Sequence, residues 1–300
     1  MLRQPLGTGG LNALPAVTAH HFTVDVEEYF QVSAFEAIVP RATWERRESR
    51  VARSVARVLE LLARHGAGAT FFILGWVAER HAEVVREIAG AGHEVASHGW
   101  DHRRVTQQTP DEFRISVRRT KRLLEDIAGV PVVGFRAPSF SIVPGQEWAL
   151  DVLIEEGYCY DSSLFPVRRQ GYGYPNGLRD PHVLTRPAGA LVEVPPAVLW
   201  RWGVALPAGG GAYFRILPYR LIRSALRDCE RRRRPGTFYM HPWELDFGQP
   251  RLNVGLSTWL RHYTGLGRIQ ARLERLLREF RFGPIGATVT TLLSPVPAAR

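Results

Sequence analysis

Two histidines stand four residues apart in SHGWDH (97–102), His98 and His102, with a glycine, a tryptophan and an aspartate between them. Imidazoles at this spacing fall on one side of a helical turn, close enough to share an ion. Two histidines and one carboxylate, with positions left for water, make a catalytic rather than a structural metal site. The carboxylate can come from TVDVE (23–27), where either Asp25 or Glu27 can ligate and the other acid stays free as a base. Three more ionisable side chains close short apolar runs in the same way: Arg136 after VVGF, Asp161 after YCY and His241 after TFYM. Singly, each has an ordinary reading: an acid that caps a turn, a surface histidine, a solvated arginine. Together they ask for an architecture that gathers strand ends on one rim.

Parallel βα units supply such a rim, because chemistry collects at the C-terminal ends of their strands. The expected strands are HFTVDVE (21–27), ATFFIL (69–74), HEVAS (93–97), VVGFR (132–136), a run near YCYDS, LVEVP (191–195) and TFYMH (237–241). Between them the apolar period is helical. Val51, Val55, Val58, Leu59 and Leu62 share a face that ends at Gly66, and one further helix carries Val77, Val84, Val85 and Ile88. A third opens at TPDEF with Thr109 as N-cap, Pro110 in the first turn and Glu112 in the capping-box position. A fourth covers 146–157, and a last amphipathic helix carries Ile269, Leu273, Leu276, Leu277 and Phe280. There are too few clean units for a regular eight-fold barrel. The expectation is an α/β fold, a distorted and incomplete (β/α) barrel, with an irregular Gly-, Pro-, Tyr- and Arg-rich insertion over 167–220 that shapes a cleft wall. A flexible lead-in over 1–20 and a helical C-terminal extension over 251–300, packed on the 21–250 domain, complete the expected plan.

Composition narrows the function. The chain has 300 residues, 45% hydrophobic and 23% charged, the profile of a globular domain. Of 39 basic residues only Lys121 is a lysine, so the net charge of +10 reflects a general preference for arginine. No basic module interleaved with aromatics is present, and no nucleic-acid partner is expected. The run Arg231–Arg234 follows a helical pattern, where cations suit the helix dipole; contact with an anionic membrane surface or an anionic lipid-linked substrate is the lesser reading. No apolar run is long enough to span a membrane, and the N-terminus lacks a signal peptide's apolar core. Cys159 and Cys229 read as ordinary thiols, and the expected location is cytoplasmic.

The motifs TVDVE, SHGWDH, RAPSFS (136–141) and MHPWE (240–244) together resemble the polysaccharide deacetylase family with the NodB homology domain, carbohydrate esterase family 4. FTVDVEEYFQVSAFE and FYMHPWELD resemble its bacterial branch associated with exosortase and exopolysaccharide gene clusters. The resemblance implies a NodB-type distorted barrel and the hydrolysis of acetyl groups on sugars, with one divalent metal ion, zinc foremost, an acetylated glycan as substrate, and peripheral contact with the membrane or with exopolysaccharide-assembly proteins. It implies that Asp25 is the catalytic base, that Arg136 holds it, that His241 is the acid, that Asp161 pairs with that histidine, and that His98 and His102 bind the metal. The family's second aspartate is Val26 here. Strand alternation turns residues 25 and 27 to one face, which makes Glu27 the expected carboxylate ligand. The aromatic that usually follows the third motif's proline is displaced, with Ser139 in its place and Phe140 next, so a backbone N–H near Ser139 is expected at the oxyanion. Tyr172, Tyr174, Trp200, Trp202 and Trp243 can stack on sugar rings, and Glu193 can bind a substrate hydroxyl. Two rivals remain: a metal-independent amidohydrolase of a small cyclic amide, and a catalytically silent sugar-binding component of an assembly complex.

Overall fold

The computed structural model describes residues 19–169 and 171–293, so the lead-in expected over 1–20 falls, as far as residue 18, outside the described residues. Strand β1 (His20–Val26) is followed by two 3-10 turns, Ser33–Phe35 and Arg41–Arg46, and by helix α1 (Val51–Arg64). Alternation continues through β2 (Thr70–Ile73), α2 (Gly75–Arg80), α3 (Ala82–Gly90), β3 (Glu94–Ser97), α4 (Pro110–Ala128), β4 (Gly134–Phe135), α5 (Trp148–Glu155) and β5 (Tyr160–Asp161). Two hairpins come next: β6 (His182–Arg186) with β7 (Gly189–Glu193), and β8 (Val198–Arg201) with β9 (Val204–Pro207). The chain then forms α6 (Gly211–Ile216), α7 (Tyr219–Arg231), β10 (Thr237–Met240), α8 (Leu256–Tyr263), α9 (Leu266–Glu279), β11 (Phe282–Gly283) and α10 (Gly286–Leu293).

The main sheet runs β10-β1-β2-β3-β4-β5-β7 in parallel, with β6 antiparallel at one edge and β11 added beside β1. Single parallel bridges, Pro196 to Thr237 and Gly210 to Tyr239, draw the chain beyond β7 and β9 back against β10. The ring is therefore pulled together by bridges where a regular barrel would have a ladder, which is the distorted barrel the sequence predicts. Gly210 makes this approach possible: at φ +143° a Cβ there would lie 1.8 Å from the Tyr239 carbonyl oxygen.

Strand β1 is buried along its whole length, flanked by β10 and β2. Helix α1 turns Val51, Val55, Val58, Leu61 and Leu62 into the core, each such burial contributing about 1.5–3 kcal/mol. Helix α4 has the predicted cap, with Thr109 Oγ1 accepting from the Glu112 N–H and Glu112 Oε2 accepting from the Thr109 N–H.

Three expectations change. The single helix predicted through Val77 and Ile88 is two, α2 and α3, broken at His81, where φ −132° and ψ 55° leave the helical region. The insertion expected as irregular supplies two regular hairpins, and its strand β7 belongs to the parallel sheet beside β5. The C-terminal segment is not only helical, since β11 extends the sheet and Phe282 joins the core with Ile269, Leu273 and Leu276. Both cysteines are free thiols. Among the described residues, no helix is long and apolar enough to cross a membrane.

Candidate active site

Alternation along β1 sends Thr23 and Asp25 to one face, and both meet Arg136 just beyond the end of β4. Arg136 is fully buried. Its Nη1 donates to Asp25 Oδ1 and to Thr23 Oγ1, both at 2.7 Å, while Nη2 donates to Ser162 Oγ and Nε to the Ser162 carbonyl. Its guanidinium lies 4.2 Å from the centre of the Phe72 ring. A cation held this way fixes the Asp25 carboxylate in one place.

Glu27 follows β1 directly and is 1% exposed. One carboxylate oxygen, Oε1, accepts from Trp243 Nε1 at 3.1 Å. The other, Oε2, lies 2.8 Å from His102 Nε2. Ligand atoms of Glu27, His98 and His102 all fall within 4.8 Å of one another. His98 Nδ1 donates to the Arg136 carbonyl at 2.8 Å, which leaves the lone pair on Nε2. Burial lowers the His98 imidazole to about 4, so it stays neutral at physiological pH. Burial raises the Glu27 carboxyl, but the neighbouring His102 and His241 outweigh it and hold the group down at about 2. A buried carboxylate whose oxygen faces one imidazole nitrogen, beside a second imidazole that is neutral, is a donor set that suits a divalent cation, so these residues fit a metal.

The histidines meet by a different route from the one their spacing predicts. They lie in a loop after β3, not on a helical turn, with Gly99 at φ +76° and His102 at φ 56° reversing the chain. Arg41 holds that loop by donating from Nε to the Asp101 carbonyl and from Nη2 to the His102 carbonyl. Ser33 Oγ bridges towards His102 Nδ1 (3.5 Å) and Ser139 Oγ (2.7 Å).

His241 follows β10 and faces Glu27, Nε2 to Oε1 being 3.7 Å. Burial lowers its imidazole, but Glu27, Glu244 and Asp25 more than reverse this and lift it to about 9. Its Nδ1 is 2.9 Å from Glu244 Oε1. Trp243 stacks between the His241 ring (5.1 Å) and the His262 ring (4.2 Å). Behind Glu244 sits Arg215, buried, with Nε on Glu244 Oε2 at 2.6 Å and its other donors on the carbonyls of Arg261, His262 and Thr264. One arginine thus ties α6 and the end of α8 to the partner of His241. Removing one member of a buried ion pair costs about 3–5 kcal/mol. Arg215→Met is expected to lower the thermal-unfolding midpoint sharply, and an unchanged midpoint would show that the network carries no weight.

A cleft of about 440 Å³ opens over His241 and Trp243, walled by Ser33, Arg104, Ser139, Phe140, Tyr172, Tyr213 and Arg261 among others. Ser139 and Phe140 are consecutive non-glycine residues at positive φ, 56° and 52°, a strained turn at the cleft edge. The Phe140 N–H donates to the Ala137 carbonyl, and its ring packs on Phe165 and Tyr239.

Two expected residues lie elsewhere. Asp161 does not reach His241: its carboxylate accepts from Ser163 Oγ and the Ser163 N–H. It is in register with Glu193 on β7, and burial raises both carboxyls, Glu193 well above the ordinary range. Glu193 is 0% exposed, accepts from the Leu164 N–H and is not among the residues that line the cleft. Of the aromatics, Tyr172 and Trp243 line the cleft, Tyr174 donates to Glu147, and Trp200 and Trp202 stand exposed on the β8–β9 hairpin. Sequence reasoning missed Glu244, Arg215, Ser33 and His262. Glu244 was in plain view as the i+3 acid of MHPWE, whereas a functional Arg215 is invisible in a chain this rich in arginine.

Residues 43–144 match the family model for polysaccharide deacetylase, and residues 162–290 match a domain of unknown function (DUF3473). The peptidoglycan-N-acetylglucosamine deacetylase of Bacillus cereus is 32% identical over 96 residues, 32% of this chain and 35% of that protein. The peptidoglycan deacetylase of Helicobacter pylori is 30% identical over 112 residues, 37% of this chain and 36% of its own length. The chain thus spans about a third of the length of these curated relatives. The crystal structure of a candidate polysaccharide deacetylase from Mycobacterium smegmatis superposes with a TM-score of 0.67 over 99% of both chains. At 23% identity that is a likeness of fold. The segment 43–144, which carries His98, His102 and Arg136, is similar to the polysaccharide deacetylase family.

Proposed function

We propose that the protein is a metal-dependent hydrolase that removes acetyl groups from N-acetylated sugars of a polysaccharide or its lipid-linked precursor, in exopolysaccharide biosynthesis. The observation that carries this reading is the convergence of Glu27, His98 and His102 beside the Asp25–Arg136 pair, with His241 across from Glu27. The kinship with deacetylases of other glycans supports the reaction class.

Glu27, His98 and His102 would hold a divalent ion, zinc foremost, and when bound it would polarise the acetyl carbonyl and acidify a water. Asp25, fixed by Arg136, takes a proton from the attacking water as the new C–O bond forms. The N–H of Ser139 is the donor that faces the developing oxyanion, since that of Phe140 is already committed to Ala137. His241, kept protonated by Glu27 and Glu244, gives its proton to the amide nitrogen as the C–N bond breaks. Acetate and a free amine leave, and the proton balance closes when Asp25 and His241 re-equilibrate with solvent.

The test is metal analysis of the purified protein together with acetate release from N-acetylated glycans. About one divalent ion per chain is expected, with acetate and free amine formed in equal amounts, lost on chelation and restored by zinc. Acetate release untouched by thorough chelation would favour a metal-independent amidohydrolase. No acetate from any N-acetylated glycan, with metal in place, would favour a silent binding protein.

A further inference from the structure

A second concavity, of about 890 Å³, lies beside the cleft. The stretch that gives Gly171 and Tyr172 to the cleft gives Pro166–Arg169 to this groove, so one segment is the wall between them. The two sides are also joined by a hydrogen bond, Arg169 Nε donating to Tyr213 Oη at 3.3 Å.

The groove's charge is lopsided. Arg168, Arg169, Arg179 and Arg234 face it; among the described residues its only acid, Asp180, is already paired with Arg232, and Arg179 is paired with Asp228 outside the groove lining. Among the described residues, Arg168 and Arg234 make no ion pair, and Arg234 Nη1 is buried with no hydrogen-bond partner. His182 adds no charge, because burial lowers its imidazole and Nδ1 donates to the Asp180 carbonyl. On the same wall Trp200 is 50% exposed, and the Arg179 guanidinium lies 5.4 Å from its ring centre. A flat, half-open indole beside the Arg179 guanidinium, in a groove that also holds Arg168 and Arg234, offers stacking for a sugar ring and forked hydrogen bonds for a carboxylate on it. A concave site lined by one sign of charge also concentrates ligands of the other sign.

We propose that this groove is a distal subsite for a glycan bearing carboxylates, which carries uronate units while an acetylated unit of the same chain lies in the cleft. The proposal rests on the deacetylase reading for the cleft but not for the groove itself. The concavity and its place across one shared wall from the cleft favour a chain-like sugar over a flat membrane surface.

Oligogalacturonate has no acetamide and can probe the groove alone. It should bind the full chain more tightly than neutral N-acetylchitotetraose does, and more weakly as salt rises. Arg168→Glu, at an exposed position, should weaken oligogalacturonate binding about tenfold or more. Trp200→Ala should weaken it too, and neither variant should change acetate release from the neutral oligosaccharide. Failure of acetate release with uronate binding intact would sink the deacetylase reading and leave the groove standing. Oligogalacturonate binding that is absent, or indifferent to both substitutions, would overturn the proposal. So would arginine-dependent binding to anionic phospholipid vesicles without binding to the oligouronate.

Discussion

Asp25→Asn is expected to cut acetate release by about 10²–10⁴ while leaving metal content at the parent level. Asparagine keeps the size of the side chain and can still accept from Arg136 Nη1, which lies 2.7 Å from Oδ1. It cannot take a proton from water at neutral pH. The substitution also has a structural cost. Arg136 is wholly buried and Asp25 is its ion-pair partner among the described residues, so neutralising that acid leaves a cation without compensation, at a cost of about 3–5 kcal/mol. Thermal unfolding and metal content must therefore be measured on the same preparation. A folded, metal-loaded Asp25→Asn protein with near-parent turnover would remove Asp25 from the role of base. A variant that loses its metal would make Asp25 a ligand instead.

How far the sequence reached can be judged from these same residues. The period-two alternation of TVDVE puts Thr23 and Asp25 on one face, and Arg136 Nη1 touches both. That was readable because strand geometry is local. The histidine pair was also readable, but for a different reason from the one spacing supplies. A helical turn was expected, and a loop with His102 in the left-handed region delivers the same convergence. Spacing limits how far apart two residues can be, not the path between them. Asp161 shows the converse. Its place at a strand end was right, yet the end of a strand does not fix which neighbour a side chain meets. Pairing with β7 gives it Ser163 and Glu193 for company, and the acid that serves His241 lies three residues beyond it in the chain. Composition misled in the insertion, where glycines and prolines suggested irregular chain. Two hairpins form there, and Gly210 is needed for the close approach to Tyr239 that draws the ring together. Arg215 had no local signal at all, since its role depends on carbonyls at the end of α8, some fifty residues away, that only the tertiary fold brings to it.

Glu27→Gln is expected to weaken metal binding by more than the about 10–100-fold that loss of an outer-sphere partner costs, and to take activity with it. The geometry separates the two acids of the first motif. Asp25 gives its oxygen to Arg136, whereas Glu27 directs Oε2 at His102 Nε2 and lies in the cluster with His98. The extra methylene of glutamate lets it reach past the end of β1 to the loop that carries both histidines. Trp243 Nε1 already holds Oε1, so the glutamine would keep that bond with its carbonyl oxygen and turn its NH₂ group towards the histidines. A positive end would then face the place where a cation must sit. The fold should survive, because a neutral amide is cheaper to bury than a carboxylate. Melting temperature in the presence of excess chelator should therefore match or exceed that of the parent, while zinc should stabilise the variant far less than the parent. Equal stabilisation by zinc in both proteins, together with its loss in Asp25→Asn, would reverse the assignment of ligand and base.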